Sequence, residues 1–253
     1  MNPLSDKIST HRYRIPTHEV SFENAWGICD EDLYRQAIQF ADKSNASNTP
    51  FFQFVMTTSN HKPFTFPEGK IDLPPGNKNA DVKFTDYALG KFIAQAQQKP
   101  WFKNTVFVIV ADHCASSAGK WEINIDKHHI PAIIYNLPQQ PQKTDRLVSQ
   151  IDLMPTLFGY LNWNYTTALY GKDINQMKAG EEKAFIGNYR TLGLLKENLF
   201  TQIDDRKRVI QCKVSESEQS LSETKIQNKT LVSECISYYQ TASERFKNGK
   251  MKE

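Results

Sequence analysis

Val106-Phe107-Val108-Ile109-Val110-Ala111-Asp112-His113 is the stretch that decides how this chain is read. Its first five residues form a short, continuous, largely β-branched apolar run, the pattern of a buried strand. An aspartate and a histidine follow at once. In open α/β sheets, ligands bind outside the carboxyl ends of the strands. The run therefore delivers a carboxylate and an imidazole to an edge suited to chemistry. Zn²⁺, Mn²⁺ and related ions accept such an oxygen-plus-nitrogen set. Two ligands do not complete a metal site, so the position of the others becomes the main question.

The chain alternates on either side of this strand. Residues 30–43 predict a helix, with acids at its start and Leu33, Ala37 and Ala41 on one face. Pro50 introduces an apolar strand over 51–56, which ends in the polar loop Thr57-Thr58-Ser59-Asn60-His61. Residues 63–79 are broken by prolines and glycines and predict an extended loop. Residues 81–98 predict an amphipathic helix, with Phe84, Ala88, Phe92 and Ala96 four apart. A loop over 112–129 leads to a strand over 130–135. Asp152 and Pro155 mark a further helix start.

This order predicts an α/β fold: a largely parallel sheet with helices on both faces. The tail changes character. Residues 184–188, 193–201 and 208–212 predict short strands of an antiparallel meander, and 214–225 a loop. Leu231, Cys235, Tyr239, Ala242 and Phe246 mark a last amphipathic helix. The expected division is an irregular segment over 1–21, a catalytic-type region over 22–178, and a small antiparallel subdomain over 179–253.

Composition removes several function classes. The net charge is +3 with both signs interspersed, so no nucleic-acid footprint is expected. The four cysteines form no C-x-x-C pair, which argues against a zinc ribbon or a thioredoxin-type site. Cys114, beside His113, reads as a small residue packed at a turn. No stretch approaches the roughly 20 apolar residues of a membrane-spanning helix. The first residues lack the apolar core of a secretory signal. Cys114-Ala115-Ser116-Ser117-Ala118-Gly119-Lys120 is not a phosphate loop, because Trp121 stands where a metal-binding Ser or Thr is required. The serine-hydrolase elbow G-x-S-x-G is absent.

Four of the six histidines flank predicted strands: His61 and His113 just after one, His128 and His129 just before another. Neighbouring parallel strands bring their ends to one edge, so His61, Asp112, His113 and His129 are expected to converge there.

At this point a family resemblance becomes specific. Thr57-Thr58-Ser59-Asn60-His61-Lys62-Pro63-Phe64, Thr85-Asp86-Tyr87-Ala88-Leu89-Gly90-Lys91-Phe92, the run ending in Asp112-His113, His129-Ile130-Pro131, and Gln150-Ile151-Asp152-Leu153-Met154-Pro155-Thr156-Leu157 follow in the order and spacing of a known family. The chain resembles sulfatase-type enzymes of the alkaline phosphatase superfamily, in the branch of lipoteichoic acid synthase-like phosphoglycerol transferases. The resemblance runs from about Trp26 to the C-terminus. It implies that Asp112 and His113 bind a divalent metal (Mn, Zn or Mg), that His61 contacts the substrate's phosphoglycerol or phosphate group, and that His129 is an active-site histidine. It implies a phosphate- or sulfate-ester substrate, with a glycerophospholipid as one candidate, and an extracytoplasmic domain of a cell-membrane protein. Such enzymes use a metal-bound nucleophilic threonine and a further carboxylate from the N-terminal half of the domain, upstream of the His61 motif. Thr10 and Thr17 lie too close to His61 and in no strand-to-helix turn. The chain therefore resembles the C-terminal half of the catalytic domain, and the missing N-terminal half is its expected partner. The competing expectation is a non-catalytic remnant or partner protein that keeps half of a metal site.

Overall fold

The structure is a computed structural model that describes residues 15–114, 123–214, 221–224 and 227–251. The chain forms two compact units, Met1–Thr105 and Val106–Glu253.

The first unit begins with a two-residue hairpin, β1 (Glu23–Asn24) and β2 (Gly27–Ile28). Helix α1 (Asp30–Ala46) follows, three residues longer at its end than its periodicity suggests, with Asp30, Glu31 and Asp32 in its first turn. Acids are favoured there by the partial positive charge of the helix start. Helix α2 (Lys78–Ala96) starts three residues before the expected point, because the Asn77 side chain accepts the Ala80 amide at 2.9 Å. The core between these helices contains Cys29, Phe66, Ala80 and Phe84. The Phe66 and Phe84 rings stack at 4.7 Å. Fully burying a Phe side chain contributes about 1.5–3 kcal/mol.

The expected strand over 51–56 forms no ladder among the described residues. It keeps a period of two in burial: Phe52, Phe54 and Met56 are exposed, while Phe51, Gln53 and Val55 are half-buried. One apolar face thus lies open, with Phe54 67% exposed.

In the second unit, β3 (Phe107–Val110) pairs with β4 (Ala132–Tyr135). The pairing is antiparallel, as is every ladder among the described residues. The α/β class stands, but no parallel pairing occurs among these residues. The apolar run that reads as a buried strand is only half-buried, with Val110 exposed at its end and Ile133 exposed on β4. An apolar run specifies a strand without specifying its partner or how many of its faces are covered.

Helix α3 (Leu153–Tyr160) follows Asp152, with Pro155 in its first turn as expected. Asp152 does not cap α3 through its side chain, contrary to the sequence reading: its carboxylate faces back and accepts the Ser149 and Lys172 amides, each at 2.9 Å.

The tail is a five-stranded antiparallel meander, β5 (Ala184–Gly187), β6 (Thr191–Lys196), β7 (Leu199–Asp204), β8 (Val209–Val214) and β9 (Leu221–Glu223), in that order. The stretch 193–201, read as one strand, is two. Glu197 and Asn198 both have left-handed φ, 53° and 58°, and form a two-residue turn between the paired residues Lys196 and Leu199. Two left-handed residues give the turn twist that suits a tight hairpin. The stretch 214–225, read as a loop, contains β9, while 215–220 lie outside the described residues. Gly193 on β6 admits the fully buried Phe200: a Cβ there would lie 2.7 Å from its ring. Helix α4 (Lys229–Lys247), capped by the Asn228 side chain, packs on β6 and β7. It buries Leu231 and Cys235.

Candidate functional site

The β3–β4 register fixes the site in the second unit. Val110 pairs with Ala132 at the end of the ladder. The chain leaving β3 carries Asp112 and His113, and the chain entering β4 carries His128 and His129. All four therefore flank the same end of one hairpin. The sequence reading expects His61, Asp112, His113 and His129 at one edge of a parallel sheet; the pairing is antiparallel, it sets Asp112, His113 and His129 beside one end of the β3–β4 ladder, and His61 lies in the first unit. Asp112 Oδ2 and His113 Nε2 are 3.6 Å apart, and the side chains are 71% and 60% exposed. His129 is exposed as well, whereas His128 is half-buried with Nδ1 2.6 Å from the Asn124 carbonyl.

The Asp112-His113 turn is held from its backbone. The Gln150 amide group donates to the carbonyls of both Ala111 and Asp112, each at 2.8 Å. The His113 amide donates to Asp112 Oδ1 at 2.8 Å. His113 Nδ1 lies 2.9 Å from the Cys114 carbonyl, which can only accept, so Nδ1 is the donor of that bond and Nε2 faces away from it. One hard oxygen and one imidazole nitrogen, adjacent and accessible, fit as two ligands of a divalent ion such as Zn²⁺ or Mn²⁺. At least three protein ligands make a full site. Among the described residues, no three His, Cys, Asp or Glu side chains form a metal-ready group.

His61 belongs to the first unit and is built separately. It sits in a turn in which its amide donates to the Ser59 carbonyl and its carbonyl accepts the Phe64 amide. Its imidazole stacks on Trp26 from the β1–β2 turn, with ring centroids 4.0 Å apart and 15° between planes. Trp26 Nε1 donates to the Lys62 carbonyl at 2.6 Å, which locks the indole against the loop.

Two carboxylates lie beneath this loop that the sequence reading did not single out. Asp30, the first residue of α1, is fully buried. Its Oδ1 accepts the amides of Thr58 at 3.0 Å and Ser59 at 2.9 Å, and its own amide donates to Ser59 Oγ at 3.1 Å. Burial pushes its pKa up, opposed by those hydrogen bonds and then by the nearby His61. Asp81, in the first turn of α2, is also fully buried, and neither of its oxygens has a hydrogen-bond partner among the described residues. Burial first, then the charge of Asp30, pushes it up to about 7. The sequence held a signal for Asp81. It lies three residues before Phe84 and seven before Ala88, on the buried face.

A pH dependence follows. Unfolded Asp81 releases its proton in the ordinary carboxylate range, whereas the folded protein keeps it to about pH 7. Stability of the first unit should therefore fall as pH rises through that window and level off above it, because the unfolded state binds fewer protons there. The slope approaches about 1.4 kcal/mol per pH unit for one group. Asp81→Asn should flatten it, measured as the urea midpoint against pH. An unchanged slope in the variant would rule out Asp81 as its source.

The sulfatase family model matches residues 1–163, well over half of the chain. This chain belongs to the sulfatase family. The sulfatase chain is similar to phosphoglycerol transferase I of Citrobacter koseri, 28% identical over 109 residues, which covers 40% of this chain and 14% of that protein. It is similar to the lipoteichoic acid synthase-like YvgJ of Bacillus subtilis, 27% identical over 163 residues, which covers 54% of this chain and 26% of that protein. The solved structure of an alkaline phosphatase superfamily protein from Vibrio parahaemolyticus matches with a TM-score of 0.83 at 29% identity, covering 91% of this chain and 57% of that one. The lipoteichoic acid synthase LtaP from Listeria monocytogenes, with a TM-score of 0.61 at 18% identity, supports the fold alone. The sulfatase chain spans about a quarter or less of the length of these curated relatives. No helix of its described residues is long and apolar enough to cross a membrane.

Proposed function

We propose that this sulfatase chain carries part of the catalytic machinery of a metal-dependent transferase or hydrolase acting on phosphoglycerol- or phosphoethanolamine-type esters, and that the nucleophile and remaining metal ligands come from an N-terminal half of the domain. The observation that carries this reading is the hairpin register, which gives Asp112, His113 and His129 one common end. Asp112 and His113 would hold the ion, which when bound supplies Lewis-acid polarisation of a phosphoryl oxygen. The His113 Nδ1–H, engaged by the Cys114 carbonyl, keeps Nε2 available as the donor atom. His61 would donate to a substrate phosphate oxygen, with its ring orientation fixed by Trp26. His129, exposed and at the same end as Asp112, would hold or release a proton during ester cleavage.

An N-terminal half of the domain would find open apolar surface to cover. Phe52, Phe54 and Met56 form such a face in the first unit, and Ile133 on β4 is exposed in the second. The covered part of the Vibrio structure, 57% of its length, leaves room for such a half. A second reading, a non-catalytic partner keeping half a metal site, is favoured by the lack of a three-ligand group among the described residues.

The test is turnover of a chromogenic phosphodiester with Mn²⁺ or Zn²⁺. The chain is assayed alone and co-expressed with the N-terminal catalytic segment of the Vibrio relative. Turnover is expected only from the combination, and His61→Ala should lower it through lost substrate contact. No turnover from either would favour the non-catalytic reading. Metal- and Asp112-dependent turnover by the chain alone would overturn the need for a second half.

A further inference from the structure

Beyond the Asp112 region, the second unit carries a cleft of about 370 Å³ whose lining includes Trp163, Tyr165, Lys172, Asp173, Gln176 and Glu181. Its aromatic wall is built by the end of α3. Asn162 takes a left-handed φ of 53°, and the Trp163 amide turns back to the Phe158 carbonyl at 3.0 Å. The Phe158 ring then supports both wall residues. It stacks on Trp163 with centroids 5.3 Å apart and meets Tyr165 edge-on at 4.8 Å. Trp163 stays 58% exposed and Tyr165 43% exposed. Two large rings fixed from one side and open to solvent on the other are not what burial alone would produce.

The polar wall is equally constrained. Asp173 Oδ1 accepts the Asn175 backbone and side-chain N–H groups at 2.9 and 3.1 Å, and Oδ2 accepts Gln176 Nε2 at 3.0 Å. The carboxylate can lie against α3 because residue 159 is glycine. A Cβ there would stand 2.2 Å from Asp173 Oδ2. Across the cleft, Lys172 Nζ meets Glu181 Oε1 at 2.8 Å, and Glu181 Oε2 accepts the Lys178 amide at 2.9 Å. The Lys172 ammonium, and next the Lys178 amide, hold the Glu181 carboxyl down to about 2.

This combination selects among ligand classes. An anion would face two carboxylates against a single ammonium, a net negative lining. A quaternary ammonium would suit the rings and acids, but it offers no hydrogen bonds to Gln176 or Lys172. Hydroxyl groups both donate and accept, so they can satisfy carboxylate, amide and ammonium together. A ring with a flat C–H face can also lie on the indole and phenol. Sites of this size with aromatic walls and a few fixed polar groups are typical of small-molecule recognition. We propose that this cleft binds a neutral carbohydrate. Trp163 and Tyr165 would be the stacking platform, and Asp173, Gln176 and the Lys172–Glu181 pair the hydroxyl partners. Asp112, His113 and His129 are not among the residues that line this cleft, and the proposal goes beyond the function proposed above.

The experiment uses the full 253-residue chain and saturation-transfer NMR with glucose, maltose and cellobiose as probes and choline as the control. Saturable binding in the millimolar range is expected for at least one of the sugars, and none for choline. Trp163→Ala should weaken it by about tenfold or more, and Trp163→Phe less. Both variants should melt like the parent, because the side chain is exposed. Gln176→Ala, which leaves both rings in place, should also weaken binding. No saturable binding by any of the three sugars would overturn the proposal. So would binding indifferent to Trp163→Ala and Gln176→Ala, or choline binding that Trp163→Ala abolishes.

Discussion

Asp112→Asn should abolish turnover in the complex completed by the N-terminal half, the largest functional loss expected of any single substitution here. Among the described residues at the hairpin end, Asp112 is the one carboxylate assigned to the ion, and the neighbouring histidines cannot replace its negative charge. Asparagine keeps the shape and the Oδ1 acceptor for the His113 amide, so the turn itself should persist. What it removes is the negative charge, and hard divalent ions depend on charged oxygen donors. Outer-shell partners of metal sites typically cost 10–100-fold when removed, and a direct ligand should cost more than about 100-fold in kcat/KM. Gln150→Ala provides the internal comparison. The Gln150 side-chain amide donates to the carbonyls of Ala111 and Asp112, and its loss should fall within the outer-shell range. A titration of turnover against Mn²⁺ separates the two, because Gln150→Ala should recover at high metal and Asp112→Asn should not. Asp112→Asn activity within about tenfold of the parent would remove Asp112 from the ligand set.

Asp30→Ala should produce the largest loss of stability, about 2–4 kcal/mol. The methyl group leaves the buried amides of Thr58 and Ser59 without their acceptor. Each unsatisfied buried group costs about 1–3 kcal/mol. Part of that is offset by relief of the buried charge and of its repulsion with Asp81. Asp30→Asn keeps a carbonyl acceptor and should cost less, while lowering the pH at which Asp81 titrates. The checks are the urea midpoint and amide hydrogen exchange at 58–61. Faster exchange there is expected with Asp30→Ala, since the carboxylate ties α1 to the loop that presents His61. Unchanged stability and unchanged exchange would mean that the loop is held by other contacts, such as the Trp26–His61 stack.

Much of this was legible in the residues themselves. Helix periodicity and cap chemistry are local, so α1, α2, α3 and α4 were recognisable from spacing, with ends shifted by a few residues where Asn77 and Asn228 cap. The succession of apolar run, Asp112 and His113 is also local, and so is the His129-Ile130-Pro131 entry to the next strand. The motif order sufficed to suggest the sulfatase family.

Tertiary structure decided the rest, because the deciding contacts join residues far apart in sequence. Strand direction was one such matter: Val110 pairs with Ala132, and an apolar run has the same appearance whichever way its partner runs. Burial of charge was another. Asp30 and Asp81 are ordinary helix-start acids in sequence, and only the packing of α1 and α2 with the loop at 58–61 makes them buried carboxylates with raised pKa values. The stack of Trp26 on His61 joins two loops through ring faces, which have no periodicity to read. Local propensity and pattern are written along the chain, whereas desolvation depends on what the rest of the chain brings close, and that is settled only on folding.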